Sequence, residues 1–367
     1  MKAALLVAYG QNLEIDNVDI QDPKDHEVMV RIIATGICHS DLSGAKGITG
    51  VPLPTILGHE AAGIVERIGA AVSKVKSGDR VVLSWAPSCG QCFYCHDAHP
   101  TLCESQRPAN RDGSMWDGTY RLSANGKQVH HYACVSSFAE FAIVPEHGCS
   151  KIETDIPFEV AALVGCAVTT GFGAVVNEAK VRPGSNVAVV GVGGVGINAI
   201  HAAALAGAER IIAVDINVDK EAVARSFGAT HFVNSGSTDV LAAIRELTRG
   251  RGVDSAIECT GRPAVVASIY DAVRAAGTLV LVGLSGAEER VSLLSYPLVA
   301  SQKRIIGSLY GGGVPERDFG LIFDLYRSGR FEIDRQVGAR LPLERINDGF
   351  DMLKKGVLAR SVVVFDN

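Results

Sequence analysis

The sequence predicts an α/β protein of two domains, a β-rich one and a doubly wound parallel sheet. Three features predict it: a length of 367 residues, a change of pattern near residue 155, and strand–helix alternation from about residue 186 to 282. A chain of this length exceeds one ordinary core and divides into domains of roughly 150 to 200 residues. With 47% hydrophobic and 20% charged residues it has the composition of an ordered globular protein.

In the first part, Val28, Val30 and Ile32 alternate with polar or small residues, and 61–68 and 80–85 are short apolar runs bounded by Gly, Pro or Asp. These are strand patterns, and long helical periodicity is absent. The apolar opening, 1–9, is broken by Gly10 before any spanning length and reads as an edge strand. A helix start at Asp155-Ile156-Pro157 and a turn at 182–185 precede the alternation. There, strands at 186–190, 210–215, 231–233, 255–259 and 278–282 are separated by helices at 197–206, 219–227, 240–247 and 264–275. Repeated βαβ units of this kind build a parallel sheet with helices on both faces. Residues 168–310 are thus expected to form a nucleotide-type domain, and 1–167 with 311–367 the other. Gly311-Gly312-Gly313 reads as a hinge.

A net charge of −5 and the absence of Lys/Arg runs argue against nucleic acid or an anionic membrane as partner, and favour a small molecule. No signal peptide or membrane span is evident, so a cytoplasmic protein is expected. Nine cysteines, four of them crowded between Cys89 and Cys103, suit metal ligation in a reducing compartment better than a disulfide framework.

Gly191-Val192-Gly193-Gly194-Val195-Gly196 follows an apolar strand and opens a helix. The first glycine permits a tight turn, the second lets backbone approach a pyrophosphate, and Gly196 allows close packing of helix on strand. The helix start at Gly194 and Val195 then offers free N–H groups to phosphate. Asp215, ending the next strand, is placed to bond both ribose hydroxyls, which favours NAD over NADP, and Lys220 is near enough to touch ribose oxygens. The rival reading is a glycine turn that serves geometry alone.

Cys89, Cys92, Cys95 and Cys103 have the spacing C-x2-C-x2-C-x7-C. Four thiolates close a tetrahedral shell with no open position, which defines a structural zinc site. An iron–sulfur run would bring its fourth cysteine after three residues and before Pro, unlike Cys103-Glu104. Against the zinc site stand unliganded buried thiols; a zinc-ribbon interaction module is another role for the lobe, against which the acidic charge argues.

Three further segments stand out: Gly36-Ile37-Cys38-His39-Ser40-Asp41, Gly58-His59-Glu60 with the residues that follow, and Gly165-Cys166-Ala167. Together with the lobe and the fingerprint, in this order along nearly the whole chain, they resemble the zinc-containing medium-chain alcohol dehydrogenases. The resemblance is to the liver-type, long-loop subgroup, and it implies a GroES-like catalytic domain beside a Rossmann domain.

It further implies two zinc ions per chain, the catalytic one on Cys38, His59 and Cys166. Asp41 would orient His59, Glu60 would stand behind the metal, and Ser40 would take the alcohol proton. Where liver-type enzymes continue the relay with a histidine, this sequence has Ser43. His39 and Arg360 match positions near the cofactor phosphates, although either would also suit a solvated surface charge.

Trp85 would narrow the inner substrate pocket and Ala133 widen the outer one, so a primary alcohol, benzylic or allylic, is expected to reach the metal. The products would be the aldehyde and NADH, and the enzyme a homodimer or homotetramer joined through the nucleotide-domain sheet edge. The same scaffold serves thiol-dependent formaldehyde dehydrogenases, and some zinc-free relatives keep the fold as nucleotide-binding structural or sensor proteins.

Overall fold

Strand Glu27–Gly36, ten residues long and largely buried, is the spine of the first folding unit. It pairs antiparallel with Glu60–Ile68, with Phe141–Pro145 and with the C-terminal strand Arg360–Val364. The sheet runs Cys149–Lys151, Arg80–Leu83, Glu60–Ile68, Glu27–Gly36, Arg360–Val364, Val337–Leu341. Val362 lies opposite Gly36 and Val363 opposite Thr35, so the tail returns to complete a sheet begun near the N-terminus. The computed structural model describes residues 1–356 and 360–366. Unit one comprises Met1–Ala167, Val314–Arg327 and Glu332–Asn367, and unit two Val168–Gly313 and Ser328–Phe331.

Lys2–Leu6 is not the edge strand expected. It is the middle strand of a three-stranded sheet, between Glu14–Asn17 and Thr55–Ile56. The physical reason is burial: Ala3, Ala4, Leu5 and Leu6 are all buried, and a strand covered on both faces carries an unbroken apolar run.

The second unit holds six parallel strands in the order His231–Asn234, Arg210–Asp215, Asn186–Val190, Val253–Glu258, Val273–Leu281, Arg304–Gly307. Counted along the chain this is 3-2-1-4-5-6, the doubly wound order of dinucleotide-binding sheets. Ala188, Val190, Ile212, Val214, Ala256 and Leu279 pack its strands against Ile244, Val266, Ile269 and Tyr270 of the covering helices. Helix Pro263–Ala272 ends three residues short of the expected 275, because the chain already turns into the strand at Val273.

Residues 311–313 group with the second unit, and the first unit resumes at Val314, directly after the three glycines. Gly311 has φ +77°, and a Cβ there would lie 2.6 Å from the Thr169 carbonyl oxygen and 2.8 Å from Gly173 Cα. The glycines allow close packing on the helix. One helical stretch, Phe158–Glu178, is long and apolar enough to cross a membrane, but 89% of its most apolar window is buried inside the protein, as in a core helix.

A buried polar cluster makes the first unit acid-sensitive. Arg121, 1% exposed, forks onto Glu27 at 2.8 and 2.6 Å and reaches Asp117 at 2.9 Å. Its backbone N–H donates to Nε2 of buried His131 at 3.1 Å, which requires that nitrogen to be unprotonated. Burial, then the Arg121 charge, push His131 down to about 3. Because the folded value lies below the unfolded one, the unfolded chain binds the extra proton between about pH 6.5 and 3. Stability from neutral His131 is complete above that window and is lost as pH falls through it. The unfolding free energy of the wild type should therefore lose about 1.4 kcal/mol per pH unit relative to His131→Gln between pH 6 and 4. Urea titrations of both proteins, zinc-replete, measure this, and a difference that does not change with pH refutes it.

Candidate active site

Cys38 stands immediately before the short helix His39–Ala45, in extended backbone, and the Asp41 carboxylate closes the first turn. Asp41 is fully buried and accepts three hydrogen bonds. Cys38 N–H donates at 2.9 Å, Gly58 N–H at 3.1 Å and His59 Nδ1–H at 3.0 Å. One carboxylate thus fixes two loops and one imidazole tautomer, leaving His59 Nε2 free as a ligand atom.

Cys166 comes from a different element. Residues Val164–Val168 form a π-helical turn within the long helix, a local widening that recurs at functional sites. The turn brings Cys166 to Cys38 and His59, and one ligand atom from each of Cys38, His59, Glu60 and Cys166 lies within 4.8 Å of the others.

All four side chains are buried. The Cys166 thiol, hydrogen-bonded to Cys38, lowers Cys38 well below the usual thiol value and is itself raised well above it. Burial disfavours an imidazolium at His59, yet Asp41 and Cys38 raise it well above its ordinary value. Two soft thiol donors and an oriented imidazole, gathered within 4.8 Å of one another, are the donor chemistry of a zinc ion with one open position.

Glu60 and Arg360 form a buried pair behind this cluster. Arg360 Nη2 donates to Glu60 Oε2, and Ala167 N–H donates to Glu60 Oε1 at 3.2 Å. Burial pushes Glu60 up to about 7 against the pull of Arg360. Arg360 is only 7% exposed, so the solvated-charge reading of it fails: a guanidinium leaves water only beside a counter-charge, and Glu60 supplies one. A Cβ at Gly36 would collide with Glu60 Oε2, which explains glycine at the end of the spine strand. His39, by contrast, is exposed, and Ser40 is half-buried with its Oγ 3.9 Å from Cys38 Sγ.

The rings of Trp85 and Tyr132 meet His59 edge-on, with centroids 6.4 and 5.6 Å away. Sequence reasoning named Trp85 and the neighbouring Ala133 but missed Tyr132, whose adjacency to Ala133 was the available signal. Ala133 has φ +55°, one of several left-handed residues in this loop.

The four lobe cysteines also converge, with ligand atoms within 4.8 Å of one another. Cys92 and Cys95 Sγ are 3.5 Å apart, and the backbone N–H groups of Cys89 and Glu104 donate to Cys103 Sγ and Cys92 Sγ at 3.3 and 3.5 Å. The Glu104 N–H, above all, brings Cys92 down to about 6. Amide donors on sulfur favour thiolate, the form a metal requires.

In the second unit, Gly191 takes φ +91° at the end of strand Asn186–Val190, and Gly193 precedes helix Gly194–Leu205. A Cβ at Gly196 would collide with the Gly191 carbonyl oxygen, whereas one at Gly193 would meet nothing within 4 Å. The first glycine makes the turn, the third the packing, and the second leaves a bare backbone face. The first helical hydrogen bond is Ile197 N–H to Gly193 O, so the N–H groups of Gly194, Val195 and Gly196 precede it. Asp215 accepts from Val192 N–H at 2.7 Å and Lys220 Nζ at 3.0 Å. These residues fit a dinucleotide: amides for phosphate, and an acid at the neighbouring strand end for ribose.

A thiolate–imidazole metal cluster in one unit and a dinucleotide fingerprint in the other define a metal-dependent oxidoreductase. Two family models match the chain: "Alcohol dehydrogenase GroES-like domain" over residues 24–154 and "Zinc-binding dehydrogenase" over residues 194–326. Among solved structures, an alcohol dehydrogenase zinc-binding domain protein from Burkholderia ambifaria is 38% identical, with TM-score 0.95, covering 100% of this chain and 99% of its own. Benzyl alcohol dehydrogenase from Acinetobacter calcoaceticus is 34% identical, with TM-score 0.94 and the same coverage. An alcohol dehydrogenase from the archaeon Aeropyrum pernix is 29% identical, with TM-score 0.83 and 100% of both chains covered. The chain belongs to the zinc-containing medium-chain alcohol dehydrogenase family.

Proposed function

We propose that the protein is an NAD-dependent dehydrogenase of primary alcohols, with benzylic alcohols as the preferred class. The observation that carries the reading is the Cys38–His59–Cys166 cluster, held by Asp41 and faced by two aromatic rings. Two zinc ions per chain are part of the proposal, the second on the four lobe cysteines. When bound, zinc supplies Lewis-acid polarisation of the alcohol oxygen and NAD a hydride acceptor.

The chain's own residues supply the rest. Asp41 keeps the His59 proton on Nδ1 and so keeps Nε2 a donor to metal. Ser40 Oγ takes the alcohol proton, and with Ser43 where liver-type members have histidine, that proton leaves through Ser43 or directly to water. Gly191, Gly193 and Gly196 shape the phosphate cradle. Asp215 selects a free ribose 2′-hydroxyl over a 2′-phosphate by charge, with Lys220 beside it.

The aromatic rings of Trp85 and Tyr132 beside His59 suit a planar aryl group, and the similarity to benzyl alcohol dehydrogenase supports the same class. NADH formation from benzyl alcohol, hexanol and ethanol, before and after a chelator, tests the proposal. Benzyl alcohol is expected to lead ethanol in kcat/KM by at least about tenfold, about 1.4 kcal/mol in the transition state, and the chelator to abolish both rates. Formaldehyde oxidation that requires an added thiol, or turnover with NADP alone, would refute it.

We also propose a homodimer or homotetramer joined at the second unit. Arg304–Gly307 ends the six-stranded sheet with one side unpaired among the described residues, and Leu294, Tyr296 and Val299 near it in sequence are 73%, 81% and 77% exposed. An open strand edge beside exposed apolar side chains calls for a covering partner. Sedimentation at micromolar concentration should give at least twice the 38.6 kDa chain mass, and a monomer refutes this part.

A further inference from the structure

The parallel sheet of the second unit has a chemically distinct second end. At its strand N-termini lies a cavity of about 480 Å³ lined by Arg210, Arg249, Arg251 and Arg274, with Glu209 and Asp254 as the acids. The glycine fingerprint follows the C-terminal end of the central strand, and a strand of five residues separates the ends by about 15 Å. We propose that this cavity is a second anion site, which takes a small phosphate-bearing dianion independently of the dinucleotide.

Charge sets the class of ligand. The lining carries a surplus of two positive charges, matching one dianionic phosphate or a pyrophosphate at partial charge balance. Two of the arginines are fixed by the sheet. Asp254 accepts from Arg274 Nε at 2.7 Å and from Asn186 N–H at 2.7 Å, and Asn186 Oδ1 accepts from Arg210 Nη1 at 3.2 Å.

The other two stand on the turn that closes helix Val240–Leu247, and among the described residues neither has an acidic side chain in ion-pair range. That turn is rigid: Arg249 N–H donates to Glu246 O, Gly250 N–H to Arg245 O, Arg251 N–H to Thr248 O and Gly252 N–H to Thr248 Oγ1. Two guanidinium groups held by the sheet and two more carried on a hydrogen-bonded turn around one recess are a donor set that recognises phosphate oxygens, often in pairs.

A recess rather than a stripe, in a chain of net charge −5, favours a small anion over a nucleic acid. Calorimetric titration of the zinc-replete full chain with pyrophosphate at low salt tests the site. Arg249 sits at φ +54°, so Arg249→Gly keeps the turn, and both arginines are exposed, so Arg249→Gly/Arg251→Ala should fold, as circular dichroism and zinc content will verify.

Saturable binding is expected in the wild type, at least about tenfold weaker in that double variant. A site of this kind should remain in Gly193→Asp, which places a carboxylate on the fingerprint turn. Binding lost in Gly193→Asp but kept in the arginine variant would assign the anion to the fingerprint and overturn the proposal. No saturation up to about 10 mM would overturn it as well. Tighter binding of a single-stranded oligonucleotide than of pyrophosphate would overturn it in favour of a nucleic-acid surface.

Discussion

Replacing Cys166 with serine is expected to lower alcohol oxidation by on the order of 10³-fold, about 4 kcal/mol of transition-state stabilisation, with the fold retained. Serine is close to cysteine in shape, and the π-helical turn Val164–Val168 that positions it is made by backbone, so the turn should survive the exchange. What is lost is a thiolate from a buried set of two sulfurs and one imidazole. A neutral hydroxyl replaces soft, charged sulfur with a weak ligand, and the remaining Cys38 and His59 hold a metal poorly. The four lobe cysteines are a separate cluster and keep theirs. Zinc content should fall by one ion per chain while circular dichroism is unchanged. Full zinc content with wild-type kcat would contradict the assignment of Cys166, whereas loss of all zinc would mean that the two clusters are not independent.

How much of this is legible in the sequence depends on how local the information is. The fingerprint and the lobe are readable because spacing alone carries them: Gly191, Gly193 and Gly196 lie within six residues, and the four lobe cysteines within fifteen. The strand order of the second unit follows from alternation, since each helix must return the chain to a parallel neighbour. Cys38, His59 and Cys166 are spread over more than a hundred residues, and only resemblance joins them.

The π turn under Cys166 leaves no signal, because its residues are an ordinary apolar helix sequence. Lys2–Leu6 reads wrongly as an edge because burial on a strand's two faces shows as missing alternation, which is also how a short buried helix looks. The Glu60–Arg360 pair is invisible for a simpler reason: 300 residues separate the partners, and no local spacing links an acid expected behind the metal to an arginine expected near the cofactor phosphates.

That pair carries the second large effect. Glu60→Ala is expected to destabilise the protein by about 3 to 5 kcal/mol, because it strands Arg360 in the interior without its counter-ion. The Ala167 N–H also loses its acceptor, at a cost of about 1 to 3 kcal/mol if water does not enter. The pair itself need not be stabilising, since desolvating two charges offsets much of their attraction. Removing both charges should therefore be gentler than removing one. Glu60→Leu combined with Arg360→Met is expected to recover most of the loss, to within about 2 kcal/mol of the wild type. Denaturant unfolding of the three proteins with zinc in excess measures the coupling. A loss below about 1 kcal/mol for Glu60→Ala alone would mean that water or another acid reaches Arg360 when Glu60 is gone. The double variant should also bind catalytic zinc, since Cys38, His59 and Cys166 remain, and its residual turnover then reports what the Glu60–Arg360 pair contributes to the reaction itself.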